Sequence, residues 1–226
     1  MIMAYLIFIL PAFILSIYAQ FKVKSTFEKY SRVRSMRGMT GAEVAAQLLR
    51  RKGLTDVGID PVGGSLTDHY DPRVKRVRLS EPVYGSNSLA AIGVAAHEVG
   101  HAIQHGEKYG PLELRHAIVP VTNFASGASF PILLVGIILN SANLVLIGIL
   151  LFSAVVLFHL VTLPVEFNAS RRAVMELESA GIITPQETPA VKKVLSAAAL
   201  TYLAAAISAI ANLLYYVMIF LGSRED

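Results

Sequence analysis

Three long stretches of the chain contain no Asp, Glu, Lys or Arg: residues 1–21, 116–165 and 194–223. The charged positions between them are confined to 22–115 and 166–193, apart from the last few residues. A helix crosses the hydrocarbon core of a bilayer with roughly 20 apolar residues, so the runs predict one, two and one spans. The 50-residue run 116–165 is divided by Asn140-Ser141-Ala142-Asn143, a turn-forming tetrapeptide. The pattern therefore predicts a first span within 1–22, a hairpin over 117–165 with spans near 119–139 and 144–164, and a fourth span over 194–222. Uninterrupted runs of this length exclude a transmembrane β-barrel, whose strands alternate over about ten residues.

The polar segments carry finer punctuation. Phe27, Tyr30, Val33 and Met36 recur every third residue among basic neighbours. That spacing fits either a helix lying on the headgroups or an extension of the first span. Thr40-Gly41-Ala42-Glu43 is a capping box that predicts a helix to about Lys52, closed by Gly53. Between Val57 and Leu66, Gly58, Pro61, Gly63 and Gly64 leave room for short strands only. Val74 to Leu79 alternates apolar and basic residues, which reads as an edge strand protected by charge. Ser86-Asn87-Ser88 supplies N-cap candidates for a helix over about 88–105.

Composition agrees with the pattern and narrows it. Of the 226 residues 54% are hydrophobic and only 16% charged, against about a quarter charged in soluble domains. No cysteine is present, which removes disulfide frameworks and thiolate metal sites. The net charge of +4 is better explained by topology than by nucleic acid. Nineteen of the 20 Lys and Arg lie in 22–115 and 166–193, which four spans place on one side, and basic excess marks the cytoplasmic side. The chain thus divides into an N-terminal anchor with its end outside, a cytoplasmic region 23–116, the hairpin, a cytoplasmic segment 166–193 and the last span. The multi-pass protein is expected in the plasma or inner membrane, in contact with lipid.

Within the predicted helix 88–105 stands His97-Glu98-Val99-Gly100-His101, an HExxH motif. Residues four apart share a helix face, so His97 and His101 can direct both imidazoles at one zinc ion per chain. Glu98, one position round, reaches a water beside the metal and suits a general base. From six His and eleven Glu, chance supplies such a match with a probability of about one in a hundred. His105 cannot be a third ligand, because His97, His101 and His105, at two steps of four residues, span about 12 Å of helix axis. It fits instead as a C-terminal histidine facing the helix dipole. Glu166, the first charge after the hairpin, returns to the side that His101 left and is the candidate third ligand. His159, seven residues before Glu166, is the only ionisable residue within the predicted third span and reads as a hydrogen-bonding core residue.

At these residues the chain resembles a known family. HEVGH, two spans and a Glu in Glu166-Phe167-Asn168-Ala169 resemble the HtpX-type membrane metallopeptidases and, more loosely, the CaaX prenyl proteases. A more specific resemblance is to the YugP-like neutral zinc metallopeptidases of bacteria. It runs through Asp68-His69-Tyr70-Asp71-Pro72-Arg73, Leu79-Ser80, Val94 to Glu98, Pro164 to Ser170 and Ala197 to Tyr202. The resemblance implies a zinc-dependent membrane endopeptidase of gluzincin type, with His97, His101 and Glu166 as ligands and Glu98 as base. The fold expected is mainly α, with four transmembrane helices and a small cytoplasmic α+β zincin-like domain. The HtpX-type pattern has Asp four residues after the ligand Glu; here Ser170 stands there, and it would orient a ligand histidine more weakly.

The reaction expected is hydrolysis of peptide bonds in membrane or membrane-associated proteins by a zinc-activated water. The substrate would add as a strand to the Val74–Leu79 edge, beside Val77. Candidate oxyanion or substrate contacts are His69, Tyr70, Arg73, Tyr84, Arg171 and Arg172. Small residues at Ala125-Ser126-Gly127-Ala128-Ser129 and Gly136 would allow close helix contacts in an oligomer. A transporter would need more polar residues in its spans, and an inactive scaffold would not need Glu98.

Overall fold

The structure, a computed structural model, describes residues 2–222. It is mainly helical: α1 (Ile2–Ser31), α2 (Gly41–Arg51), α3 (Glu81–Tyr84), α4 (Leu89–Gly106), α5 (Gly110–Ile138), α6 (Ala142–Ser179) and α7 (Thr188–Gly222), with strands β1 (Gly58–Val62), β2 (His69–Asp71) and β3 (Arg76–Ser80) between α2 and α3. Among the described residues, four helices are long and apolar enough to cross a membrane: α1 from Leu6, α5, α6 and α7. The tetrapeptide at 140–143 separates α5 from α6 as expected, with Asn140 in the left-handed region at φ 49°.

The apolar runs fix where spans lie but not where helices end. α6 continues 13 residues beyond Glu166 because Val165, Ala169, Ala173 and Leu177 form a fully buried stripe at four-residue steps. α1 likewise runs unbroken to Ser31. Phe27 and Tyr30 are buried in a hydrophobic core, so this stretch extends the first helix. Val33 and Met36 fall beyond the helix and are exposed.

The chain forms two compact units. One holds the described parts of Met1–Gln20, Glu113–Pro164 and Thr201–Asp226. Within it Gly136 and Gly148 let α5 and α6 approach: a Cβ at Gly136 would lie 2.8 Å from the Val145 nitrogen. Leu133, Val145 and Ile149 pack with Leu213, Tyr216, Val217 and Phe220 of α7, and Ser16 and Ser208 hydroxyls meet at 3.0 Å.

The other unit holds Phe21–Leu112 and Val165–Leu200. Its three-stranded sheet has the order β1-β3-β2, with β3 parallel to β1 and antiparallel to β2. The edge-strand reading of Val74–Leu79 is therefore corrected: β3 is the central strand. Its basic residues do not guard an open edge. Arg76 pairs with Asp60 of β1 at 3.0 Å and Arg78 lies 3.8 Å from Asp71 of β2, while Val77 and Leu79 are fully buried. The helices behind are started by their caps. Thr40 and Glu43 form the complete capping box of α2, and Ser88 caps α4 by accepting from the Ala91 amide. The core of this unit gathers α2, α4, Val77 and Leu79, together with Ala173 and Leu177 of α6 and Val191 and Leu195 of α7.

Candidate metal centre

The HExxH segment occupies the C-terminal half of α4, whose small residues allow deep burial. Ala91, Ala95, Ala96, Val99 and Ala102 are at most 1% exposed. Gly100 is where α6 comes closest: a Cβ there would lie 2.7 Å from the Ala169 carbonyl oxygen. The space Gly100 leaves is thus filled by the α6 backbone. This close approach lets Glu166 and Ser170, on either side of Ala169, reach the histidines of α4.

Glu166 Oε2 lies 3.3 Å from His97 Nε2 and 3.5 Å from His101 Nε2. All three side chains are nearly buried, at 3%, 12% and 11% exposure. Their three donor atoms fall within 4.8 Å of one another, a group that could hold a metal ion. Zinc bonds of about 2.0–2.1 Å at tetrahedral angles set neighbouring ligand atoms roughly 3.3–3.5 Å apart. The spacing therefore suits atoms ringing one ion at least as well as direct ion pairs. The donor set of two imidazoles and one carboxylate fits zinc with an open fourth position.

The ring nitrogens facing away are also held. His97 Nδ1 lies 3.1 Å from the Ser170 hydroxyl, and His101 Nδ1 lies 3.0 Å from Gln104 Oε1. Gln104 is fully buried, and its amide nitrogen donates to the Val165 carbonyl and Asn168 Oδ1, each at 2.9 Å. Both those partners face the NH2 group as acceptors, so the amide oxygen points at His101 and accepts from Nδ1–H. That leaves His101 Nε2 with its lone pair directed at the carboxylate cluster. Gln104 is not among the residues singled out from the sequence, because its partners Val165 and Asn168 come from α6, more than 60 residues away.

Glu98 is 7% exposed. Burial pushes its carboxyl pKa up, helped by the Glu166 and Asp68 charges, while His97 and His101 pull it back. Burial lowers the His101 pKa, but contact with Glu166, then Glu98 and Gln104, outweighs it and raises the group overall.

The remaining candidates are placed as follows. Tyr70 is pushed up to about 12 by burial and by the Asp56 and Asp71 charges, and its hydroxyl shares a hydrogen bond with His105 Nδ1 at 2.8 Å. His105 lies outside the three-residue group. His69 Nδ1 is 2.8 Å from the Thr67 carbonyl, and exposed Arg73 pairs with Asp71. Arg172 bonds Asn168 at 2.7 Å and Glu107 at 2.6 Å; Arg171 is exposed. Tyr84 packs against the core from α3. Val77 is buried in the central strand and offers no edge to a substrate. Of the wider candidates, Ser170 hydrogen-bonds a member of the cluster, His97.

The family described as "Putative neutral zinc metallopeptidase" matches residues 5–221. The chain belongs to this family. It is 56% identical over 224 residues to the "Putative membrane protease YugP" of Bacillus subtilis (strain 168), covering 99% of this chain and 100% of that relative. No solved structure matches the chain. Membership in this zinc metallopeptidase family agrees with the donor set that α4 and α6 assemble.

Proposed function

We propose that the chain is a multi-pass membrane metalloendopeptidase of HExxH gluzincin type, holding one zinc ion through His97, His101 and Glu166. The observation that carries this reading is the 3.3 and 3.5 Å spacing of Glu166 Oε2 from the two Nε2 atoms. When bound, zinc supplies Lewis-acid polarisation of a peptide carbonyl and acidifies water to a pKa of about 7. Glu98 takes the proton of the attacking water and returns it to the leaving amine, so one buried carboxylate serves both proton transfers. Ser170 and Gln104 hold the imidazoles in the tautomer that presents Nε2 inward. The substrate chain pairs in extended form along β2, an edge of the sheet that Tyr70 ties to α4 through His105. The basic excess of 22–115 and 166–193 supports a cytoplasmic catalytic region acting on membrane or membrane-associated proteins.

The test separates metal binding from chemistry. Purified Glu98→Gln should retain zinc at the wild-type ratio and lose cleavage of a quenched fluorescent peptide library by at least about a thousandfold. Glu166→Ala should lose zinc. Wild-type cleavage by Glu98→Gln, or wild-type zinc in Glu166→Ala, overturns the assignment.

A further inference from the structure

Two helices far apart in sequence bring four lysines to one cavity. Lys22 and Lys29 of α1 and Lys192 and Lys193 of α7 line a space of about 560 Å3, a volume typical of small-molecule sites. None of the residues lining it is acidic. No ion pair to any of the four is found among the described residues, whereas Lys52, Lys75, Arg76 and Arg172 are each matched to a carboxylate. Four lysines lining one cavity with no acidic residue beside them make a region of positive potential, which a bound anion would neutralise.

Depth decides which anion. Lys22 is the first charge after the charge-free run 1–21, and Lys193 is the last before the run 194–223. The cavity thus lies at the junction of two apolar helices with their polar continuations, the level of the lipid headgroups. Its composition is graded accordingly. The Ser25 hydroxyl donates to the Lys22 carbonyl at 3.2 Å, which leaves Thr26, Tyr30 and Ser196 as hydroxyl donors in the lining. Ala197 and Leu200 line the cavity from within the charge-free run, where a glycerol backbone and the start of an acyl chain would lie.

We propose that this cavity binds the phosphodiester headgroup of an anionic glycerophospholipid. The four ammonium groups surround the phosphate, the Thr26 and Ser196 hydroxyls donate to its oxygens, and the acyl chains follow α1 and α7. The lysines then do more than set topology: they make a stoichiometric lipid site that joins α1 to α7.

The full chain in dodecyl maltoside, titrated with dioleoylphosphatidylglycerol or dioleoylphosphatidylcholine and read by native mass spectrometry and unfolding temperature, tests this. The anionic lipid should bind as one tight copy and raise the unfolding temperature, and the zwitterionic lipid should do neither. Lys22→Gln with Lys193→Gln should weaken that binding about 25-fold, at roughly fivefold per lysine. Lys24→Gln with Arg32→Gln removes equal charge from residues outside the lining and should stay within about twofold of wild type. Ser196→Met, which fills the cavity and leaves the charge unchanged, should also lose the lipid. Equal weakening by the two charge pairs, retention of the lipid by Ser196→Met, or equal binding of both lipids overturns the site. Stabilisation by water-soluble glycerol 3-phosphate equal to that by the lipid, at the same concentration, overturns the lipid assignment in favour of free phosphate.

Discussion

Gln104 Oε1 accepts from His101 Nδ1 at 3.0 Å, and the same amide donates to Val165, the neighbour of Glu166. One buried side chain therefore orients a histidine of α4 and anchors the stretch of α6 that carries the carboxylate. Gln104→Met conserves volume but leaves the Val165 carbonyl without its donor and His101 free to change tautomer. Zinc affinity should fall about 10–100-fold, measured by chelator competition. Gln104→Glu keeps the acceptor for His101 and should bind zinc more tightly than Gln104→Met; equal affinities would remove the orienting role.

Gly100 supplies a prediction of opposite sign to helix propensity. Gly→Ala inside a helix ordinarily stabilises by about 1 kcal/mol. Here the added Cβ would meet the Ala169 carbonyl at 2.7 Å, so α4 and α6 must separate. Gly100→Ala should destabilise by about 1–3 kcal/mol and reduce zinc occupancy, because Glu166 moves with Ala169. Unfolding temperature and metal content of the purified variant, both at or above wild type, would show that the helices do not need this contact.

These two residues mark where the sequence is legible and where it is not. His97, Glu98 and His101 can be read directly because a helix converts four-residue spacing into one face. Glu166 can be reached because a hairpin must return to the side it left. The central position of β3 cannot be read, since Arg76 and Arg78 are matched by Asp60 and Asp71 from strands 16 and 7 residues away, and alternation alone does not distinguish a paired arginine from a protective one. Gln104 and the Ala169 contact are also hidden, because both depend on the approach of a helix more than 60 residues distant.

Glu187 makes part of the fold sensitive to acid. Burial raises its pKa, but the Thr184 and Met36 amides and the Thr184 hydroxyl outweigh this and lower it overall. The amides donate at 2.8 and 2.7 Å, tying the segment after α1 to the turn before α7. A lowered folded pKa means stability that is present above the unfolded value of about 4.3 and is lost as pH falls through the folded value. Unfolding temperature in detergent should drop below about pH 4, and Glu187→Gln should be less stable at pH 7 with a flatter acid limb. An unchanged acid limb in Glu187→Gln would assign the sensitivity to other carboxylates.

Orientation is the prediction on which a cytoplasmic peptidase rests. His97 and Glu166 approach to 3.3 Å, so the chain between them must cross the membrane an even number of times. α5 and α6 supply two candidate crossings, with Asn143 at the exposed start of α6. The basic excess of 22–115 and 166–193 predicts a cytoplasmic location for their common side. Thr55 and Gln186 are exposed in those segments, and the absence of native cysteine gives no background labelling. In intact cells, Thr55→Cys and Gln186→Cys should be protected from an impermeant maleimide, and Asn143→Cys should react. After permeabilisation all three should react. Labelling of Thr55→Cys and Gln186→Cys in intact cells, with Asn143→Cys protected, would turn the site outward. Labelling of only one of the first two would separate His97 from Glu166 and exclude a shared zinc.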